Sequence, residues 1–194
     1  MKRSVKRELS PLRLTDVVID DAFWAPRIRV NQERTIPHEY EECKKTGRIL
    51  GFNPGWTPQG KEQSRHIFND SDVAKWVEAA SYSLATHPDP KLDKLLDEVV
   101  ELIVEAQQPD GYLNTYFSFV EPKKRWTNLR DRHELYCAGH LIEAAVAHYE
   151  AAGKRKLLDA MCRYADYIDS VFGAEPGKKR GYCGHQEIEL ALVK

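Results

Sequence analysis

Apolar residues recur at helical spacing in most of the chain. Val73, Val77, Ala80 and Leu84 fall at i, i+4, i+7 and i+11, predicting a helix over 71–86 that Asp70 or Ser71 can cap. Leu92, Leu96, Val99, Ile103 and Ala106 form the stripe of a second helix, over 90–107, with Asp89 as its cap and Pro90 at its first position. A third is predicted over 132–152, ended by Gly153. A fourth, over 155–172, carries Leu158, Met161, Ala165, Ile168 and Phe172 and stops at Gly173. A fifth starts at His185 and runs to the end of the chain. Upstream, residues 27–45 read as helix interrupted at Pro37 and closed by Gly47. Residues 14–28 mix β-branched and aromatic side chains and predict a short strand leading into a turn. Gly- and Pro-rich stretches such as "GFNPGWTPQG" and "GAEPGKKRG" predict long loops.

The order is helix, short link, helix, long loop, and then again. Helix starts near 71, 132 and 185 recur at intervals of about 61 and 53 residues, the mark of an array of helical hairpins. The second helix of each hairpin has one apolar stripe and a charged back, which suits an outer layer. The 132–152 helix has two apolar faces, one through Leu135, Ala138, Ile142 and Ala145 and one through Cys137, Leu141 and Ala144, and so belongs between layers. Inner helices ringed by outer ones make an α/α toroid. The expectation is an all-α fold, a partial α/α toroid, or a curved solenoid if the ring stays open, preceded by a short N-terminal strand or extended segment. No internal domain boundary is expected within 1–194. The chain stops at "ALVK" inside an apolar-periodic helix, which predicts the N-terminal fragment of a longer protein.

Totals narrow the field. Lys and Arg number 29 against 30 Asp and Glu, for a net charge of −1, so no general pull toward nucleic acid or anionic lipid is expected. No apolar run approaches the ~20 residues that cross a bilayer, and the basic N-terminus lacks the apolar core of a secretory signal. The four cysteines, Cys43, Cys137, Cys162 and Cys183, form no CxxC pair, which makes a poor disulfide framework and a poor zinc finger. A reduced, cytoplasmic protein is expected. Nothing in the sequence fixes its oligomeric state.

Candidate chemistry gathers where long loops meet inner helices. All three loops share one mouth of the toroid and deliver His66 with Asp70 and Asp72, His133 with Glu134, and His185 with Gln186 and Glu187. A histidine at a helix start feels the positive end of the helix dipole, which favours a neutral ring able to donate and accept one hydrogen bond each. Repeated placement at equivalent starts suggests a shared pocket for a hydroxylated ligand. His133, Cys137 and His140 lie at i, i+4 and i+7 and could be taken for a metal set. Zinc, however, takes an i, i+4 pair from one helix and its remaining ligands elsewhere. Cys137 therefore reads as core, and His140 as either a satisfied buried histidine or a pocket wall. Trp56 and Trp126 sit in loops where exposure for sugar stacking is plausible, whereas Trp76 reads as core. Neither Gly-rich loop follows a strand or has phosphate-loop spacing.

The stretches "DSDVAKWVEAASYSL", "AQQPDGYLNTYF", "RWTNLRDRHELYCAGHLIEAAVAHYEAAGKRKLLD" and "GHQEIELALVK" resemble glycoside hydrolase family 127, the β-L-arabinofuranosidase group. The resemblance runs from about residue 12 to Lys194. It implies an (α/α)6 barrel followed by β-sandwich domains. It also implies a retaining mechanism with a zinc-held cysteine thiolate as nucleophile and a glutamate as acid/base. Those groups and the zinc ligands are expected beyond Lys194, leaving no catalytic residue and no bound metal within the fragment. Carried over residue by residue, His133 of "HELYC" and His185 of "GHQE" correspond to groups that bond the sugar hydroxyls. Glu39, after Ile36 and Pro37, stands where the family has a glutamine, which puts that contact in doubt. Cys137 matches a helix position rather than a zinc or nucleophile position.

The expectation is thus a glycoside hydrolase fragment that binds a small carbohydrate. Another sugar-active α/α barrel, an epimerase or an uronide hydrolase, could instead use His133, His140 or His185. A non-catalytic helical-repeat binding module would require a polar capping helix, and the "ALVK" end argues against it.

Overall fold

A computed structural model describes residues 12–194. Eight helices are present among them. In chain order they are α1 (Trp24–Val30), α2 (Ile36–Lys45), α3 (Asn69–Thr86), α4 (Pro90–Glu105), α5 (Thr115–Phe119), α6 (Glu134–Ala152), α7 (Lys156–Val171) and α8 (Glu187–Ala191). No strand forms among the described residues; the nearest approach is an isolated bridge between Phe172 and Lys179. The predicted strand over 14–28 is instead a 3-10 turn at Leu14–Asp16, an extended run, and the start of α1. β-branched residues make a strand only where another strand accepts their backbone hydrogen bonds, and none lies alongside. The side chain of Asp21 accepts the Phe23 amide at 2.7 Å and also reaches Trp24 N, and so opens α1. From there the chain stays helical through a π-turn at Asn31–Thr35 into α2, where Pro37 occupies the first turn and breaks nothing.

Two layers result. Helices α2, α3, α6 and α8 pack side by side as the inner layer, while α4 packs on α3 and α7 on both α6 and α4. This is the expected partial toroid. Helix α6 is buried on nearly every side, with Cys137, Ala138, Leu141, Ala144 and Ala147 at 0% exposure, because it touches α3, α7 and α8 together. The outer helices bury one stripe each: Leu96, Val99, Val100 and Ile103 on α4 and Leu157, Ala160, Met161, Tyr164 and Ile168 on α7. On α7 the buried face sits one position earlier than the predicted Leu158 and Ala165. Tyr164 is drawn inside by a cluster with Tyr112, 5.7 Å between ring centres. Asp89 caps α4 as predicted, accepting Lys91 N at 2.8 Å and Leu92 N at 3.3 Å. Gly153 ends α6 in the left-handed region at φ 68°.

The loop over 107–133 is a packed cap rather than an open connection. Asn114 accepts Phe117 N at 3.0 Å and starts α5, while Tyr112, Leu113 and Phe117 are wholly buried. Asp70 does not cap α3. It sits buried in the first turn and accepts Thr115 N at 2.8 Å and Thr115 Oγ1 at 2.6 Å, pinning the loop to the inner helix. Burial pushes its carboxyl up from 3.8 to about 6, against the lowering effect of the Thr115 hydrogen bonds.

That shift carries a sign. Between roughly pH 4 and 6 the folded chain keeps a proton on Asp70 that the unfolded chain has released, so this contribution to stability is complete below about pH 4 and lost as pH rises through 6. Asp70→Asn removes it. The stability gap between wild type and variant, read by urea denaturation, is expected to shrink by about 2–3 kcal/mol from pH 4 to pH 7. A gap independent of pH would show that the carboxyl titrates alike in both states.

Candidate sugar-binding site

Three loops bring their histidines to one end of the inner layer. The rings of His133 and His185 lie 5.1 Å apart, the Phe68 ring is 5.8 Å from His133, and His66 stacks behind Phe68 at 4.3 Å. His133, His185, Phe68, Tyr136, Asp72 and Lys75 line a cavity of about 300 Å³. His66 does not line it and supports Phe68 instead.

Each side chain has a local reason for its place. His133 precedes α6 in the left-handed region at φ 59°, unusual for a residue with a Cβ. Glu134 holds that strained start. Its Oε1 accepts Tyr112 OH at 2.5 Å and its Oε2 accepts Trp126 N at 2.8 Å, while burial pushes the carboxyl up to about 7. Glu134 thus faces the loop and not the mouth. His133 Nδ1 lies 2.8 Å from the Asp131 carbonyl, an acceptor, so Nδ1 carries a proton there and Nε2 is left for a ligand.

His185 is positioned by a close backbone crossing. Gly184 N donates to Leu129 O at 3.1 Å, and a Cβ at Gly184 would overlap the Arg130 carbonyl oxygen. Only glycine lets the His185 loop reach the loop that carries His133. A second close approach fixes α8, since a Cβ at Gly139 would lie 2.7 Å from Glu187 Cγ and 2.9 Å from Ile188 N.

Polar groups surround the ring pair. Lys75 Nζ donates to Tyr136 OH at 2.7 Å, and Tyr136 packs 4.8 Å from His185 and 4.6 Å from His140. Arg48 Nε donates to Asp72 Oδ2 at 2.6 Å. Asp72 and Lys75 also line a neighbouring cavity of about 560 Å³, and Glu39 of α2 lines that one. Glu39 therefore opens onto the adjoining space and is not among the residues around His133 and His185.

The three residues at i, i+4 and i+7 turn to different surroundings. Cys137 points into the core with its thiol on the Ile67 carbonyl at 3.5 Å, and burial pushes its pKa well up. His140 faces Glu187, its Nδ1 3.1 Å from Oε1, and burial pushes the ring down to about 4. Among the described residues one metal-capable group exists, His140 with Glu143 and Glu187, and it spans two helices that sequence spacing alone does not relate. The tryptophans expected to be exposed are not free for stacking at the mouth. Trp126 is 5% exposed among Tyr112, Tyr167 and Phe172. Trp56 is half-buried against Gly47, with the Arg65 guanidinium 5.2 Å above it. Trp76 is core and donates to Ile36 O at 3.0 Å. Tyr136 and Lys75 were not singled out by the sequence; both sit on helix faces that read as ordinary surface until α3 and α6 are packed.

A partial α/α toroid with paired histidines at its polar mouth is thus the class of protein that fold and site define. The chain belongs to glycoside hydrolase family 127: residues 16–194 match its family description, the GH127 catalytic domain of β-L-arabinofuranosidase. It is 47% identical over 132 residues to the non-reducing end β-L-arabinofuranosidase of Bifidobacterium longum subsp. longum, a match covering 66% of this chain and 20% of that protein. The fold superposes on Ara127N, a GH127 β-L-arabinofuranosidase of Geobacillus stearothermophilus T6, with TM-score 0.86 and 52% identity over 91% of this chain and 29% of that one. It superposes equally on the GH127 β-arabinofuranosidase BT3674, with TM-score 0.86 and 40% identity over 94% and 30%. The chain therefore spans about a fifth of the curated relative and under a third of the solved ones.

Proposed function

We propose that this chain carries the non-catalytic half of a sugar pocket in a retaining β-L-arabinofuranosidase, as part of a longer catalytic domain without an internal boundary over these residues. The observation that supports it most is the facing of His133 and His185 from two different loops across a polar cavity, with His133 Nε2 free to bond a hydroxyl. Asp72 and Lys75 add an acceptor and a donor at the cavity wall, the mixed lining that a ring bearing several hydroxyls requires. Glu39, a carboxylate where the family has an amide, lines the adjoining cavity, which shares Asp72 and Lys75 with this one, and is assigned to the edge of the same pocket.

The zinc-held cysteine nucleophile and the acid/base glutamate of the family are assigned to residues outside this chain. Burial pushes the thiols of Cys43, to about 11, and of Cys137 upward, the reverse of what a thiolate nucleophile needs. The partner is a small carbohydrate, not nucleic acid. No described helix is long and apolar enough to cross a membrane. We place the protein in the cytoplasm, a compartment that suits four unpaired cysteines.

Calorimetric titration with methyl β-L-arabinofuranoside tests the site. His133→Ala and His185→Ala are each expected to weaken binding about tenfold or more. Unchanged binding in both variants, or tighter binding of an unsaturated uronide by wild type, would overturn the reading.

A further inference from the structure

We propose that His140, Glu143 and Glu187 form a binding site for a divalent first-row transition cation, beneath the histidine mouth. This site does not depend on the sugar reading above. Its ligating atoms come from two elements, since His140 and Glu143 stand at i, i+3 on α6 and Glu187 opens α8. His140 Nδ1 lies 3.1 Å from Glu187 Oε1 and 3.8 Å from Glu143 Oε2, and the three ligating atoms all fall within 4.8 Å of one another. Ligands about 2.0–2.2 Å from one ion stand roughly 3–4 Å apart, so these separations suit a shared cation with little movement.

The second observation is independent of the spacing. His140 Nδ1 and Glu187 Oε1 are both buried and have no hydrogen-bond partner, though they point at each other. Buried polar atoms normally find partners, and a pair left without them across one gap marks a missing positive charge or donor between them. Glu143 divides its oxygens: Oε1 takes the Lys194 ammonium at 2.5 Å, which leaves Oε2 turned toward His140. Gly139 allows the arrangement, because any side chain there would push Glu187 away.

Ligand type selects the ion. One imidazole and two carboxylates are too nitrogen-containing for calcium or magnesium and too hard for copper(I), and they suit zinc, cobalt(II), manganese or iron(II). Three protein ligands leave the remaining coordination positions open to water or a small anion. It would tie the first turn of α8 to α6, and with it His185 two residues upstream.

The test is titration of the EDTA-stripped 194-residue chain with Co²⁺, followed by visible absorption and calorimetry. One Co²⁺ per chain is expected, without the intense near-ultraviolet band of a cobalt–thiolate bond. H140A and E187Q should each weaken binding about 100-fold, and Cys137→Ala should leave it unchanged. Circular dichroism checks that both ligand variants keep their helices, and E143Q replaces either one that does not. No binding at about 1 mM Co²⁺, binding unchanged in the folded ligand variants, or a thiolate band would overturn the proposal. In the first case a proton on His140 Nδ1, donated to Glu187 Oε1, fills the gap instead.

Discussion

The 194-residue chain is expected to release no p-nitrophenol from p-nitrophenyl β-L-arabinofuranoside above a buffer blank, even where it binds the sugar. Enzymes of any proficiency exceed the uncatalysed rate by about a millionfold or more, so the difference between activity and none is unmistakable. Retention requires a nucleophile and an acid/base on either side of the anomeric carbon. Each cysteine in the chain is disqualified by its place. Cys43 and Cys137 are buried with thiols pushed up, and Cys162 lies exposed on α7 in the outer layer. Cys183 is closest to His185, but burial raises its thiol too, and its sulfur is engaged with the His185 carbonyl oxygen. His133 and His185 can orient a hydroxyl without attacking carbon or protonating a leaving group in concert. Turnover that persists through purification and disappears in the His133→Ala, His185→Ala double variant would mean that a catalytic pair exists here, and the assignment of roles would fail.

Glu134→Ala is expected to destabilise the fold by about 3–5 kcal/mol, the largest effect of any single truncation proposed here. The residue is 1% exposed and accepts from two donors, Tyr112 OH and Trp126 N. Its removal leaves a buried backbone amide unpaired at a position already in the left-handed region, φ 58° at Trp126. For a chain of this size such a loss lowers the melting temperature by roughly 10 °C. Glu134→Gln keeps the side-chain volume and one acceptor, and should recover about half. Sugar affinity should fall with stability in the alanine variant, because Glu134 anchors the turn that presents His133. A melting temperature within about 2 °C of wild type would show that the loop is held by its aromatic packing alone.

The sequence by itself settled α3, α4, α6 and α7 and their layers, whereas the fifth helix, predicted from His185 to the end, spans only Glu187–Ala191. Apolar spacing on α3, α4, α6 and α7 is a local property of consecutive residues, and a helix buried on two faces declares itself an inner one. Loop positions followed from Gly and Pro, and the equivalence of three loop-to-helix junctions placed His66, His133 and His185 at one mouth. What failed lay where a partner decides the outcome. The β-branched run over 14–28 found no second strand, and Asp70 went to Thr115, 45 residues away, instead of capping its own helix. Trp126 was taken into an aromatic cluster formed with α7. The group formed by His140, Glu143 and Glu187 exists only because Gly139 lets α8 rest on α6, and the His133–His185 pair only because Gly184 lets two loops touch. Periodicity records which face a helix buries; it holds no record of which distant side chain fills the space opposite, and that is fixed only when the layers close.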